Sequence, residues 1–99
     1  MLLLGTLRLE NFVQQHAAAR IPMAAWQLEA EEANWKSADD VLERYADAEA
    51  EEGRLRFSIK GIYKLDVKAG FKEGILLVER VWTESVRKPL ARKIARSKA

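Results

Sequence analysis

The stretch Gly53-Arg54-Leu55-Arg56-Phe57-Ser58-Ile59-Lys60-Gly61-Ile62-Tyr63-Lys64-Leu65-Asp66-Val67-Lys68 decides the fold. Leu55, Phe57 and Ile59 alternate with Arg54, Arg56, Ser58 and Lys60, and Tyr63, Leu65 and Val67 alternate with Lys64, Asp66 and Lys68. A period of two belongs to a strand with one buried face and one wet face. Gly61 sits between the two runs, where a tight antiparallel turn is expected. Residues 69–74, with Gly70 and Gly74, form a second turn. Ile75 to Trp82 then reads as a third strand, more apolar and therefore central.

Upstream of Gly53 the period changes. Acidic residues 47–52 read as a solvated loop. Ser37-Ala38-Asp39-Asp40 has the spacing of a capping box and opens a short helix carrying Val41, Leu42 and Tyr45. A longer helix is expected from Pro22 to Ala33, because a proline suits the first helical position. Its inward stripe is Met23, Trp26, Ala30 and Ala33, and Trp35 follows at its exit. Residues 7–16 place Leu9, Phe12, Val13 and His16 on one helical face, with Thr6 as a cap. The apolar start, Met1 to Gly5, reads as a buried strand. Pro89 begins a basic C-terminal helix with Leu90 and Ile94 on one side and Arg92, Lys93, Arg96 and Lys98 on the other. Strands and helices are segregated, so the expectation is a single α+β domain over 1–99, its N-terminal strand and helices packed on an antiparallel sheet.

Composition narrows the function. The chain has 99 residues and no cysteine, which removes disulfides and thiolate metal sites and fits a cytoplasmic protein. No segment has the length or pattern of a secretory leader or a membrane span. The net charge of +2 hides an asymmetry. Residues 1–52 carry 4 Lys/Arg against 11 Asp/Glu, while residues 53–99 carry 13 against 4. The halves either neutralise each other across the fold or leave the second to meet a polyanion.

The single histidine, His16, lies on the apolar side of its helix and reads as structural. With no nucleophile elbow and no phosphate-cradling glycine loop, common hydrolase, kinase and dehydrogenase chemistries fall away. What remains is cationic. Arg54, Arg56 and Lys60 share a strand face, as do Lys64 and Lys68, and such a face binds phosphates by charge and counterion release. An ordinary solvated sheet face is the bland alternative. Trp26 and Trp35 read as core, leaving Trp82, beside Arg80, as the aromatic available to stack a base. RNA cleavage by 2′-hydroxyl attack requires a base, charge stabilisers and an acid, and needs no cofactor or metal.

Arg8 to His16, the Trp26 helix, Ala33-Asn34-Trp35-Lys36-Ser37, Arg54 to Gly61, Tyr63-Lys64-Leu65 and Gly74 to Val78 together resemble HigB-type toxins of the RelE superfamily. The resemblance spans about residues 7–84. It implies a RelE-like fold and a bacterial type II toxin: an endoribonuclease (mRNA interferase) that cleaves mRNA on the ribosome, inhibits translation and is neutralised by a helix-turn-helix antitoxin of the HigA kind. The family's Val-Gly-Thr-His-x-x-Tyr-Asp segment is replaced by Val81-Trp82-Thr83-Glu84-Ser85-Val86-Arg87-Lys88. Glu84 stands at the His position and Arg87 at the Tyr position. The Asn after Gly61 is missing, and the family's last-strand Arg falls on Glu79, with Arg80 beside it. The catalytic set expected on this alignment is Glu84 as base with Arg80, Arg87 and Lys64 stabilising charge. The RNA-binding set is Arg54, Arg56, Lys60, Lys68, Lys88 and Arg92. A catalytically inactive RNA- or protein-binding regulator of the same fold is the alternative. The apolar face of the 87–98 tail is too small to favour membrane binding.

Overall fold

The computed structural model describes residues 1–84. Its elements are β1 (Leu2–Leu4), α1 (Thr6–Gln15), a single 3-10 turn (Ala17–Ala19), α2 (Arg20–Glu32), α3 (Ala38–Arg44), β2 (Glu49–Glu51), β3 (Arg54–Ile59), β4 (Tyr63–Gly70) and β5 (Ile75–Thr83). The helices pack on one five-stranded sheet of order β1-β5-β4-β3-β2. The class is α+β.

Alternation in β3 and β4 delivers Leu55, Phe57, Ile59, Tyr63, Leu65 and Val67 to the helix side, all buried. Three aromatics converge on Phe57. Trp26 of α2 meets it edge-on at 5.2 Å, Tyr45 edge-on at 5.2 Å, and Trp35 lies stacked at 6.3 Å. The Trp26 indole N–H is buried with no partner among the described residues. That omission costs about 1–3 kcal/mol. Burying a tryptophan's area returns roughly 4–6 kcal/mol, so packing wins.

The sheet is mixed where the sequence pointed to an antiparallel one. β1 lies parallel to β5, with Leu3 opposite Leu76. All other neighbours are antiparallel. A parallel pair needs a long crossover, and three helices and three strands intervene here. The N-terminal ammonium holds β1 to α2, donating to the carbonyls of Glu31 at 3.1 Å and Ala33 at 2.8 Å. These are helix-end acceptors with no partner of their own, where a cation is favoured.

Residues 47–52 are not wholly a loop. Glu52 (φ 38°) and Gly53 (φ 81°) turn the chain back sharply, so Glu49 and Glu51 pair opposite Arg56 and Arg54 as an edge strand. Opposite charges directly across a ladder favour that pairing. The middle strand is β4 rather than the more apolar β5, which lies between β1 and β4. β5 also carries a bulge between its pairings with Asp66 and Val67, so Asp66 faces Arg80 while Val67 faces Val78. One extra residue reverses the alternation: Leu76 and Val78 point to the helices before it, and Val81 does so after it.

Helix ends differ in detail from the sequence expectation. Gly5 (φ 80°), not Thr6, is the first cap of α1. Pro22 is the third residue of α2, still within the first turn, where a missing N–H costs nothing. Ser37 makes no side-chain cap; instead Asp40 Oδ2 accepts the Lys36 N–H at 2.8 Å. His16 ends α1 and is exposed rather than apolar-facing, stacked on Phe12 at 4.3 Å. The expected basic C-terminal helix lies outside the described residues.

Two outcomes follow from this packing. A Cβ on Gly5 would lie 2.6 Å from the Val78 carbonyl oxygen, at a φ that L residues rarely adopt. Gly5→Ala therefore lowers stability by about 1–3 kcal/mol, read as a reduced urea midpoint. Tyr45 donates its phenol proton to Glu29, which also pairs with Arg44. Burial first, then the Glu29 hydrogen bond and charge, push the phenol well above its ordinary 10.0. The neutral phenol is favoured in the folded state, so its stabilisation is complete below pH 10.0 and is lost as pH climbs beyond it. The urea midpoint of the native protein falls more steeply above that pH than that of Tyr45→Phe.

Candidate functional site

Among the described residues nothing covers the sheet face opposite the helices, and of the residues expected to bind RNA, Arg54, Arg56 and Lys68 fall on it by alternation. Across one row, Glu49, Arg56, Asp66 and Arg80 lie in register on β2, β3, β4 and β5. In the next row toward the β3–β4 turn, Ser58, Lys64 and Trp82 align. Arg54 and Lys68 form a row on the other side.

The face is not bare of acid, as a simple basic surface would be. Arg56 makes a fork to Asp66, with Nε–Oδ1 at 2.7 Å and a second contact to Oδ2 at 3.1 Å. Arg80 approaches the same carboxylate at 4.0 Å. Arg54 pairs with Glu79 at 2.9 Å, and Lys64 with Glu84 at 3.4 Å. Hydrogen bonding to Asp66 pushes Arg56 above its ordinary value, with the charges of Asp66, Glu49 and Glu84 adding to it, so the guanidinium stays charged. Lys60 and Lys68 form no ion pair among the described residues. Single-contact surface pairs such as Arg54–Glu79 are worth about 0–1 kcal/mol, and the two-point Arg56–Asp66 fork is the firmer one. A phosphodiester therefore competes at little cost for Arg54 and Arg80, and at greater cost for Arg56.

Trp82 gives this face its distinct character. The Arg80 guanidinium carbon lies 4.2 Å from the ring centroid and that of Arg56 lies 4.9 Å away, both within cation–π range. The indole is partly exposed, whereas Trp26 and Trp35 are buried as their spacing indicated. Beside it, Lys64 donates to Ser58 Oγ at 2.8 Å while holding Glu84. The Glu84 backbone N–H bonds to the Ile62 carbonyl at 2.7 Å, fixing the end of β5 against the β3–β4 turn. Lys64, Glu84, Arg80 and Trp82 thus gather at one end of the sheet.

Two grooves flank this cluster. One of about 560 Å³ lies over β2 and β3 and presents Glu49, Glu51, Asp66 and Glu79 against Arg54 and Arg56, an acidic excess that repels phosphate. The other, about 380 Å³, runs between α1 and β5 and is lined by Arg8, Asn11, Phe12, Gln15, Glu79, Arg80 and Val81, two cations against one carboxylate. Arg8, Asn11 and Gln15 were not singled out in the sequence, although their i, i+3, i+7 spacing is that of one helical face. Among the described residues, no group of His, Cys, Asp or Glu side chains is arranged to hold a metal ion. No helix among them is long and apolar enough to cross a membrane. Arg87, Lys88 and Arg92 lie outside the described residues.

Lys60 sits at the tip of the β3–β4 hairpin with φ 57°, followed by Gly61 at φ 75°, and the Ile62 N–H closes the turn on the Ile59 carbonyl at 3.3 Å. Positive φ at both central positions suits glycine and asparagine, and for lysine it costs about 1–2 kcal/mol. Lys60→Asn is expected to raise the melting temperature while weakening retention on a polyanion such as heparin. A melting temperature that falls instead contradicts the strain. No family model matches the chain, and no curated protein matches its sequence.

Proposed function

We propose that this chain is a RelE-like endoribonuclease of the HigB kind, a bacterial type II toxin that cuts mRNA on the ribosome and is held in check by a helix-turn-helix antitoxin. The observation that carries the reading is the convergence of Lys64, Glu84, Ser58, Arg80 and Trp82 at one end of the sheet face opposite the helices.

The chemistry is a transesterification. The Glu84 carboxylate takes the 2′-hydroxyl proton as the 2′-oxygen bonds to phosphorus. Lys64 and Arg80 offset the charge that develops on the non-bridging oxygens. The bond to the 5′-oxygen breaks, and that oxygen receives a proton from the Lys64 ammonium or from water. The Lys64–Glu84 pair at 3.4 Å supports this reading by holding an ammonium and a carboxylate side by side.

Purified protein added to translating ribosomes is expected to cleave the mRNA. Glu84→Ala slows cleavage by about 10²–10⁴-fold, and Lys64→Ala slows it as well. Intact message with the native protein refutes the catalytic reading. A second reading, a non-catalytic RNA- or protein-binding regulator, is favoured by one fact: Arg54, Arg56 and Lys64 each already have an acidic partner. Induced expression separates the two, since a nuclease arrests growth and a binder is tolerated.

A further inference from the structure

We propose that the half-buried Trp82 ring is a stacking platform for one unpaired base of single-stranded RNA, with Arg56 and Arg80, whose guanidiniums lie over the ring, moving to the flanking phosphates. This rests on the RNA reading above and adds to it the form of RNA recognised.

The argument begins with what Trp82 does not do. Phe57, Tyr63 and Leu65 fill the core from the other face of the sheet. Trp82 points away from them, and its cross-strand neighbour is Lys64, not an apolar residue. A half-buried indole set among charged groups on the face away from the core is not explained by core packing. Its surroundings suit a nucleotide. Two guanidinium groups lie within 4.9 Å of the ring centroid, and both are shared with Asp66 through exposed contacts that a phosphate can replace. Aromatic faces bind bases of any identity, and arginine adds both charge and a stacking plane.

Single-stranded RNA is favoured over duplex because paired bases stack on each other and expose only backbone and groove edges. An unpaired base can lie flat on the ring. Beyond Leu77, β5 loses its β1 neighbour, so the groove lined by Arg8, Asn11, Gln15 and Glu79 opens directly beside Arg80, and Arg8 there offers the adjoining phosphate a cation that outweighs, together with Arg80, the single Glu79 carboxylate.

The protein supplies its own reporter. Trp26 and Trp35 are 2% and 8% exposed, so quenching of intrinsic fluorescence by a bound ligand reports Trp82. A short fluorescein-labelled RNA oligonucleotide without secondary structure is titrated into the full chain, with total binding read by anisotropy and stacking by tryptophan quenching. A duplex of the same sequence and polyglutamate serve as comparison ligands. The expected result is quenching by the single strand that exceeds quenching by the duplex. Trp82→Ala is expected to lose at least about fivefold in affinity, with Trp82→Phe retaining most of it and circular dichroism unchanged. Should Trp82→Ala fail to fold, the quenching of the native protein and the Trp82→Phe affinity decide alone.

Anisotropy that reports binding while Trp82 remains unquenched overturns the platform and leaves the RNA reading intact. Equal quenching by duplex and single strand also overturns it. Quenching by polyglutamate and not by RNA assigns the face to an acidic protein segment and overturns the proposal. No RNA binding by either signal overturns the RNA reading itself.

Discussion

The layers of this protein are joined at Phe57. Its ring is fully buried, and Trp26 from α2, Trp35 from the following link and Tyr45 from the end of α3 all close on it. A strand that carries such a knob cannot slip. A shift of one residue would exchange Phe57 for Arg56 or Ser58 and place a charge or an unpaired hydroxyl under three aromatic rings. Because β3 is fixed in this way, Arg54, Arg56 and Ser58 are fixed on the opposite face, and β4 brings Lys64, Asp66 and Lys68 beside them. The chemistry of the outer face is thus a by-product of core packing on the inner one.

On that outer face the acidic and basic halves of the chain meet. Glu49 and Glu51 come from the acidic half and lie next to Arg56 and Arg54. The two meanings of the charge asymmetry, mutual neutralisation and polyanion binding, are therefore not exclusive. Neutralisation dominates over β2 and β3, where carboxylates outnumber guanidiniums. Toward the β3–β4 turn the balance changes, with Lys60, Lys64 and Arg80 facing Glu84 and the shared Asp66. Weak surface pairs keep cations charged and roughly oriented without withdrawing them from a competing ligand.

Much of the fold was legible because its signals are local. The period-two runs of β3 and β4, the Met23–Trp26–Ala30 stripe and the turn at Gly61 each depend on neighbouring residues alone. What was not legible depends on residues far apart. The pairing of Glu49–Glu51 requires a turn at Glu52, a residue with no special claim to positive φ. The place of β1 beside β5 is set by a crossover longer than any sequence window. In the site, alternation identified Arg54, Arg56 and Lys64, but their partners Glu79, Asp66 and Glu84 emerge only from strand register. The helix α1 groove was missed because α1 was read for its apolar stripe, and Arg8, Asn11 and Gln15 lie outside it.

The bulge in β5 has a consequence for how such a surface changes over generations. Leu76 and Val78 occupy the core, and one extra residue at Glu79 reverses the parity so that Arg80 and Trp82 emerge on the other side. The exposed cluster is therefore held in place by a count rather than by a contact. Loss of the Glu79 codon would let Arg80 follow Val78 directly and keep the guanidinium and the indole outside, whereas drawing Glu79 into the ladder as an ordinary residue would turn both toward the helices and bring Val81 out. Point substitutions can adjust this surface gradually, and a deletion at Glu79 leaves it facing outward, so the surface depends on Glu79 staying out of the ladder.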